Sequence, residues 1–525
     1  MRLALLLLAS ALLVTAEERI NSDVNQKLRK EEAANSQVMK TLHILTDRYG
    51  PRLTGSPNYE AAAKWARDKM TEWGLKNAHL EAWEFGHPGW LNERATGFVT
   101  APIKDNLVFE VLSWTPSTKG AAKSLAILVE PPKTPTQEEF TAWLAANKDK
   151  VNGRIVMVGK PTVIPVNFTA VAKRMDDEAL QRRLSGQGGP GGPGGPNRTP
   201  PAKPESGKLT AAQVNTQLDE WLVANGALVR VNDAAMAHGM VRAFNNRSYD
   251  LTKAVPTVVL RNEDYGRIAR LLEDGEKVEM EFDIANHTYP EGKTTYNVVA
   301  EIPGTDKADE VVMLGGHLDS WHSATGATDN GIGSSMMMEA SRLIQALGVQ
   351  PRRTIRIALW SAEEQGLLGS QAYVKQHFGT FEEPKAEFGK LVAYFNIDSG
   401  TGRVRMANVF GPQEAADVLK SALDPFADLG VAGASASKSR RTGGTDSTSF
   451  NAAGLAGIGL GQDPIEYFGT TWHTNLDTYE RIVPEDAMNA SIVIAGAVWH
   501  LANRDEVLPR FTKEQMPEPV KPGRD

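Results

Sequence analysis

The chain contains no cysteine. Its stability therefore rests on packing rather than disulfide staples, and thiolate chemistry is excluded both for nucleophilic attack and for metal binding. Apolar runs that could cross a bilayer are also missing, since a spanning helix needs about 20 such residues. The longest candidate, Leu3–Val14, is too short. Clustered positive charge is scarce: Lys438–Arg441 is the only short basic run, and the net charge is −7. Nucleic acid and anionic membrane surfaces both require grouped Lys or Arg, so neither is an expected partner.

At 525 residues the chain exceeds what one hydrophobic core serves, and two domains are expected; the 41% apolar content is ordinary for a soluble protein. Residues 1–16 read as a signal peptide, with Arg2 as the positive region, Leu3–Val14 as the apolar region and Val14-Thr15-Ala16 as a small-residue cleavage site. The expected location is secreted or periplasmic, with no membrane association after cleavage. Asn-X-Ser/Thr sequons at Asn167, Asn197, Asn246, Asn286 and Asn489 are patterns short enough to arise by chance.

After the signal, residues 18–47 are polar and patterned as helix (Val24, Leu28, Val38, Leu42, Leu45). Ser56-Pro57 is a helix start, a capping side chain followed by proline at the first helical position, and Gly74 is its stop. From 118 to 290 short β-like runs dominate: Leu125–Val129, Arg154–Val158, Leu228–Val231, Val255–Leu260 and Val278–Phe282. Within them Gly186–Gly207 (GQGGPGGPGGPNRTPPAKPESG) lacks any anchoring side chain and reads as a mobile surface loop, with a flap over a site as the functional alternative. From Thr295 strands and helices alternate, which predicts a doubly wound, mostly parallel α/β sheet flanked by helices. The expected organisation is an α/β domain split over 18–117 and 291–510, a strand-rich insert over 118–290, and a polar, Pro-rich, frayed tail over 511–525.

The informative stretch runs from Val311 to Glu364. VVMLGG and TIRIALW look like buried parallel strands, and a patterned helix (Ile332, Met336, Ala340, Leu343, Ile344, Leu347) lies between them. Each strand ends in side chains that bind metals or move protons: His317 and Asp319 after the first, then Asp329 in the loop, and Glu363-Glu364 after the second. Asp398 follows LVAYFNI, and His473 follows GIGLG at a short distance. In open parallel sheets, sites form beyond the carboxyl ends of strands. Imidazoles and carboxylates converging on one edge suit divalent ions, and an adjacent Glu pair lets one face a metal and its neighbour act as a base. Each residue alone has a mundane reading as surface histidine, helix-start glutamate or Asx turn.

The motifs GGHLDS, GATDNGIG, WSAEEQGLLGS, FNIDSG and WHTNLDT, in this order, resemble the M28 class of zinc metallopeptidases. These include di-zinc aminopeptidases, glutamate carboxypeptidases and carboxypeptidase Q, and HLDSW followed by GATDNG is most similar to the last branch. VNGRIVMVGKP, NGALVRVND and VPTVVLRNEDYGRIARLLEDG resemble a protease-associated (PA) domain. The resemblance implies Zn2+, two per chain: His317 and Asp398 on one ion, Glu364 and His473 on the other, and Asp329 bridging, with Glu363 as general base. It further implies Asp319 as the carboxylate orienting His317, Asp477 doing the same for His473, and a cis peptide at Asp329–Asn330. Tyr467 in DPIEYFG is a candidate donor to the oxyanion or else a buried tyrosine. GGTDSTSF (443–450) departs from the family pattern by having Ser447 where a His often stands; Asp446 and Gly444 are expected to line the substrate pocket.

The implied activity is that of an exported exopeptidase acting on peptides, an aminopeptidase by preference, with a dimer as the favoured assembly. A carboxypeptidase or dipeptidase with the same metals is the alternative, and Arg440-Arg441 is its candidate carboxylate grip. A receptor-like homologue that lost its chemistry is a third reading, disfavoured because every candidate ligand is present.

Overall fold

The computed structural model describes residues 18–185, 206–441 and 444–519. The signal segment 1–16 and nearly all of the Gly186–Gly207 stretch lie outside these residues.

One mixed sheet has eight strands in the order Lys76–Glu84, Thr294–Ile302, Arg353–Trp360, Lys307–His317, Leu391–Ile397, Gly457–Gln462, Val404–Phe410 and Ala434–Ser437. Its middle is parallel: Lys307–His317 runs between Arg353–Trp360 and Leu391–Ile397, and the latter pairs with Gly457–Gln462. Antiparallel pairs flank this centre on both sides. The α/β class and the flanking helices agree with the sequence reading. The strands Val404–Phe410 and Ala434–Ser437 are additions to it. Polar residues interrupt both, and Arg405, buried in the first, is neutralised by Asp463 at 2.9 Å.

Alternate residues of the central strands serve opposite faces. Val312, Leu314, Ile355 and Ile357 pack against the helices Ile332–Ala346 and Pro484–Asn503, whereas Met313, Trp360 and Tyr394 meet Tyr373, Phe378 and Phe450 on the other side. Burial on both faces is why these strands read as unbroken apolar runs. Gly315 is needed where two backbones meet closely: a Cβ there would lie 2.0 Å from the Ala358 carbonyl oxygen. The strand can thus stay in register up to His317 only with glycine at this position.

The N-terminal residues form the helices Ser22–Asn35 and Val38–His43, with the break at Ser36. Ser56 caps Pro57–Glu72 by accepting from the Tyr59 amide at 3.2 Å, as its sequence signature predicts.

A second eight-stranded sheet runs Asp105–Asn106, Gly89–Ala101, Glu279–Tyr289, Ala122–Val129, Ile155–Val158, Val229–Asp233, Thr257–Leu260 and Phe109–Val111. All five β-like runs read between 118 and 290 fall in it, and so do strands beginning at Gly89, upstream of 118. Its core (Trp90, Trp114, Val258, Phe282) is continuous with Leu53, Trp321 and Ala362, which belong to loops at the carboxyl edge of the first sheet. The tail expected to fray is anchored at its start: Phe511 is buried and packs edge-on against Phe410, 5.3 Å between centroids. One apolar side chain is enough to dock the segment.

Candidate metal and active site

His317 ends the central strand, and its surroundings decide which of its nitrogens is available. Nδ1–H donates to the Asp319 carbonyl at 3.0 Å, so the lone pair is left on Nε2. That nitrogen lies 3.4 Å from Asp398 Oδ1 and 3.2 Å from Asp329 Oδ1. The other Asp329 oxygen, Oδ2, lies 3.1 Å from His473 Nε2, which is also 2.9 Å from Glu364 Oε2. One carboxylate therefore faces two imidazoles, one oxygen to each.

Two ligands about 2.1 Å from a tetrahedral zinc sit about 3.4 Å apart, which is the range of these separations. Ligand atoms of His317, Asp329 and Glu364 lie within 4.8 Å of one another, and so do those of His317, Glu363 and Asp398. Asp329 Oδ2 and Glu364 Oε1 are buried without a hydrogen-bond donor. The donor set thus fits divalent ions: carboxylate oxygens and imidazole lone pairs, with orphaned buried oxygens between them.

Electrostatics lead to the same reading. Burial pushes the Glu363 carboxyl well above the usual carboxylate range despite the pull of His317, and raises Glu364 to about 7. Burial alone would lower His473, but Glu364 and Asp329 push it up to about 9; His317 is likewise raised, by Asp398 and Glu363. Asp329 is the exception: burial opposes its ionisation, yet the His317 and His473 imidazoles beside it hold it far below its ordinary value. Two imidazoles leave this carboxylate cluster short of positive charge, and metal cations would supply it.

Glu363 Oε2 stands 3.9 Å from His317 Nε2, farther than the other candidates, with its side chain 11% exposed. Tyr467 is buried and its hydroxyl donates to Asp398 Oδ1 at 3.4 Å. The Asp329–Asn330 peptide is cis. Ala362 and His473 both adopt positive φ (53° and 61°), a backbone state that costs about 1–3 kcal/mol and concentrates at functional sites.

Two positions expected to orient imidazoles do other work as well. Asp319 meets His317 Nδ1 through its carbonyl, while its carboxylate, 3.6 Å from that nitrogen, accepts from the amides of Glu363 (3.2 Å) and Glu364 (3.4 Å). Asp477 does not touch His473 Nδ1, which is buried without a partner; its oxygens are taken by the Thr328 and Asp329 amides. His473 is held instead by rings, with Trp472 at 4.1 Å and Phe244 edge-on at 5.4 Å. The pocket assignment for the 443–450 loop needs correction too. Asp446 is wholly enclosed, in the field of His317, Asp319 and Asp398, and Gly444 is exposed with its amide on Thr448 Oγ1. A side chain with no surface cannot line a cleft. The concavity beside Glu364 and His473 is lined by Trp321, Ser323, Ala324 and Gly326.

Residues 297–498 match Peptidase family M28. Carboxypeptidase Q of Mus musculus is 27% identical over 472 residues, covering 89% of this chain and 86% of the mouse protein. A crystal structure of a peptidase M28 precursor from Shewanella amazonensis SB2B superposes with a TM-score of 0.64 at 25% identity, covering 94% of this chain and all of that one. Residues 297–498 are an M28-family metallopeptidase domain. A zinc aminopeptidase from Bacillus subtilis shares the fold at TM-score 0.54 and 18% identity, over 91% of this chain and 98% of that one.

Every candidate ligand lies between 317 and 473, within the matched residues, but the shell that holds them does not. Arg52 is fully buried and donates to five carbonyls: Leu318 (2.7 Å), Thr325 (2.8 Å), Gly326 (2.8 Å), Leu45 and Gly50 (3.1 Å each). Burial pulls its pKa down to about 10, which leaves it charged. Thr54 Oγ1 accepts from the Ala362 amide and donates to Asp319. Sequence reading missed both, because carbonyl partners leave no trace in a motif; the nearest signal is the Pro- and Gly-rich break around them. Arg52→Met should destabilise the protein by about 3 kcal/mol or more, because several buried carbonyls lose their donor at once. The measurement is the urea midpoint of the metal-loaded protein, and an unchanged midpoint contradicts this account.

Proposed function

We propose that this chain is an exported exopeptidase that holds a pair of zinc ions and removes single residues from peptide ends, acting as an aminopeptidase. The observation that carries the reading is Asp329, with one oxygen toward His317 and the other toward His473. A carboxylate placed between two imidazoles is the shape of a bridge between two ions. In this reading His317 and Asp398 would hold one ion, and Glu364 and His473 the other.

Bound zinc supplies Lewis acidity and lowers the pKa of water toward neutrality. Glu363, beside the ligands but farther from His317 than they are, takes the proton from the attacking water at its carboxylate and returns it to the leaving amine. Tyr467 presents its hydroxyl from the Asp398 side, where it can donate to the oxygen that gains charge. Trp321 and Phe244 meet edge-on at 5.3 Å, and both rings lie against that of His473. The second sheet, whose core takes in Trp321, is read as a PA-like unit that confines the site to chain ends.

Preference for the amino terminus is supported by charge. The site is rich in carboxylates, and Arg440, the candidate grip for a terminal carboxylate, is buried and paired with Glu382 at 2.7 Å. A dipeptidase or carboxypeptidase is the second reading, favoured by the likeness to carboxypeptidase Q along most of the chain. Aminoacyl-amides and peptides with a blocked amino terminus separate the two: hydrolysis of the amides alone, abolished by chelator and restored by zinc, is the expected result. Cleavage of the blocked set alone would replace this reading with the second one.

Changing Glu363→Gln should lower kcat by about 1,000-fold while zinc content is unchanged, because the proton acceptor is lost but the ligands remain. Asp329→Ala should lose zinc, as measured by elemental analysis of the dialysed protein. Full metal content in that variant would remove Asp329 from the bridging role.

A further inference from the structure

The segment after Val163 leaves the second sheet and lies across the first. Lys173 pairs with Ile465, its amide donating to the Ile465 carbonyl at 3.1 Å. Arg174 reaches Asp486 with both terminal nitrogens (2.7 and 3.2 Å) and Asp463 with one (3.1 Å). The Met175 amide donates to the other Asp463 oxygen at 2.8 Å, and Arg405 closes the knot by donating to Asp463 (2.9 Å) and to the Met175 carbonyl (3.0 Å). Asp463 is fully buried, so the carboxylate end of its bonds is shielded from solvent.

This knot lies just ahead of the turn that carries Tyr467. Ile465, between the two, adopts a positive φ of 43°, an uncommon state for a β-branched residue unless its surroundings impose it. The Tyr467 amide donates to the Pro464 carbonyl at 2.8 Å, and Val171 presses on the far side of the turn at Gly469, where a Cβ would lie 3.0 Å from its Cγ1. The turn then leads to His473 through the Trp472 amide, which donates to the Tyr467 carbonyl at 2.8 Å.

We propose that residues 171–175 are a strap by which the second sheet's unit positions Tyr467, and that Arg174 is its positioning residue. The proposal rests on Tyr467 acting as donor to the reacting oxygen. When the strap is docked, the 463–467 backbone is held and the hydroxyl stays beside Asp398; without Arg174 the turn relaxes and the hydroxyl leaves its place. Displacements of this kind cost catalysis more than binding.

Arg174 is partly exposed (45%), and Arg403 and Arg405 remain on Asp463 without it, so Arg174→Ala should fold. In the zinc-loaded full chain, Arg174→Ala should lower kcat about 10-fold or more with KM little changed, and Arg174→Lys should restore part of the loss. Arg182→Ala, which removes only an exposed pair with Glu178 on the same segment, should leave kcat unchanged. The deciding measurement is the double variant. Tyr467→Phe should lower kcat about 100-fold by itself, and adding Arg174→Ala to it should cost little more. A full further loss in the double variant would overturn the strap while leaving Tyr467's role intact. Wild-type kcat in Tyr467→Phe would overturn both.

Discussion

Burying several carboxylates in one place is expensive unless positive charge is brought to them, and this constraint organises the whole carboxyl edge of the first sheet. Asp329 shows how it is met. Its oxygens face different imidazoles, so it stays ionised where Glu363 and Glu364 are pushed toward protonation. The asymmetry follows from geometry rather than residue type, since all three are carboxylic acids with side chains no more than 11% exposed. A group held as an anion by an imidazole on each side suits a bridge between cations.

Keeping such a cluster together requires rigid loops, and the loops are held by buried charges aimed at backbone. Asp319 accepts from the amides of Glu363 and Glu364, Asp477 from those of Thr328 and Asp329, and Arg52 supplies donors to the carbonyls of Leu318, Thr325 and Gly326. Anions thus meet N–H groups and the cation meets C=O groups, so each charge is compensated by dipoles that cannot rotate away. Positive φ at Ala362 and His473 is tolerated because these bonds determine the backbone from both sides.

These two layers of the site differ in how legible they were. The candidate ligands were readable as a group because they sit at or just after strand ends in a regular α/β rhythm, where an apolar run that stops in His or Glu is a local signal. The shell was not, because its partners are main-chain atoms that any residue could supply. Asp477 illustrates the limit: four residues after a loop histidine, it looked like an imidazole partner, yet its carboxylate serves a loop about 150 positions earlier in the chain. Asp446 failed differently. Its motif neighbours suggested a pocket wall, and only tertiary packing reveals that it has no surface. In the fold, the strands with unbroken apolar runs were found, whereas Val404–Phe410, with a buried arginine neutralised by Asp463, carried a polar residue that only a partner 58 positions away explains.

That same Asp463 links the two units. Its partners come from the first sheet (Arg403, Arg405) and from the segment that crosses over from the second (Arg174, Met175), so one buried carboxylate is shared by both. At the opposite side of the site, Trp321 and Ala362 are packed into the second sheet's own core, and Phe244 leans on His473. The second unit therefore grips the site from two directions, through a charged knot on one side and apolar packing on the other. Charged knots are directional and weaken when one partner shifts, whereas apolar packing tolerates sliding. Their combination meets the site's loops from two sides: Asp463 anchors the backbone just ahead of Tyr467, and Phe244 and Trp321 bring apolar rings against His473.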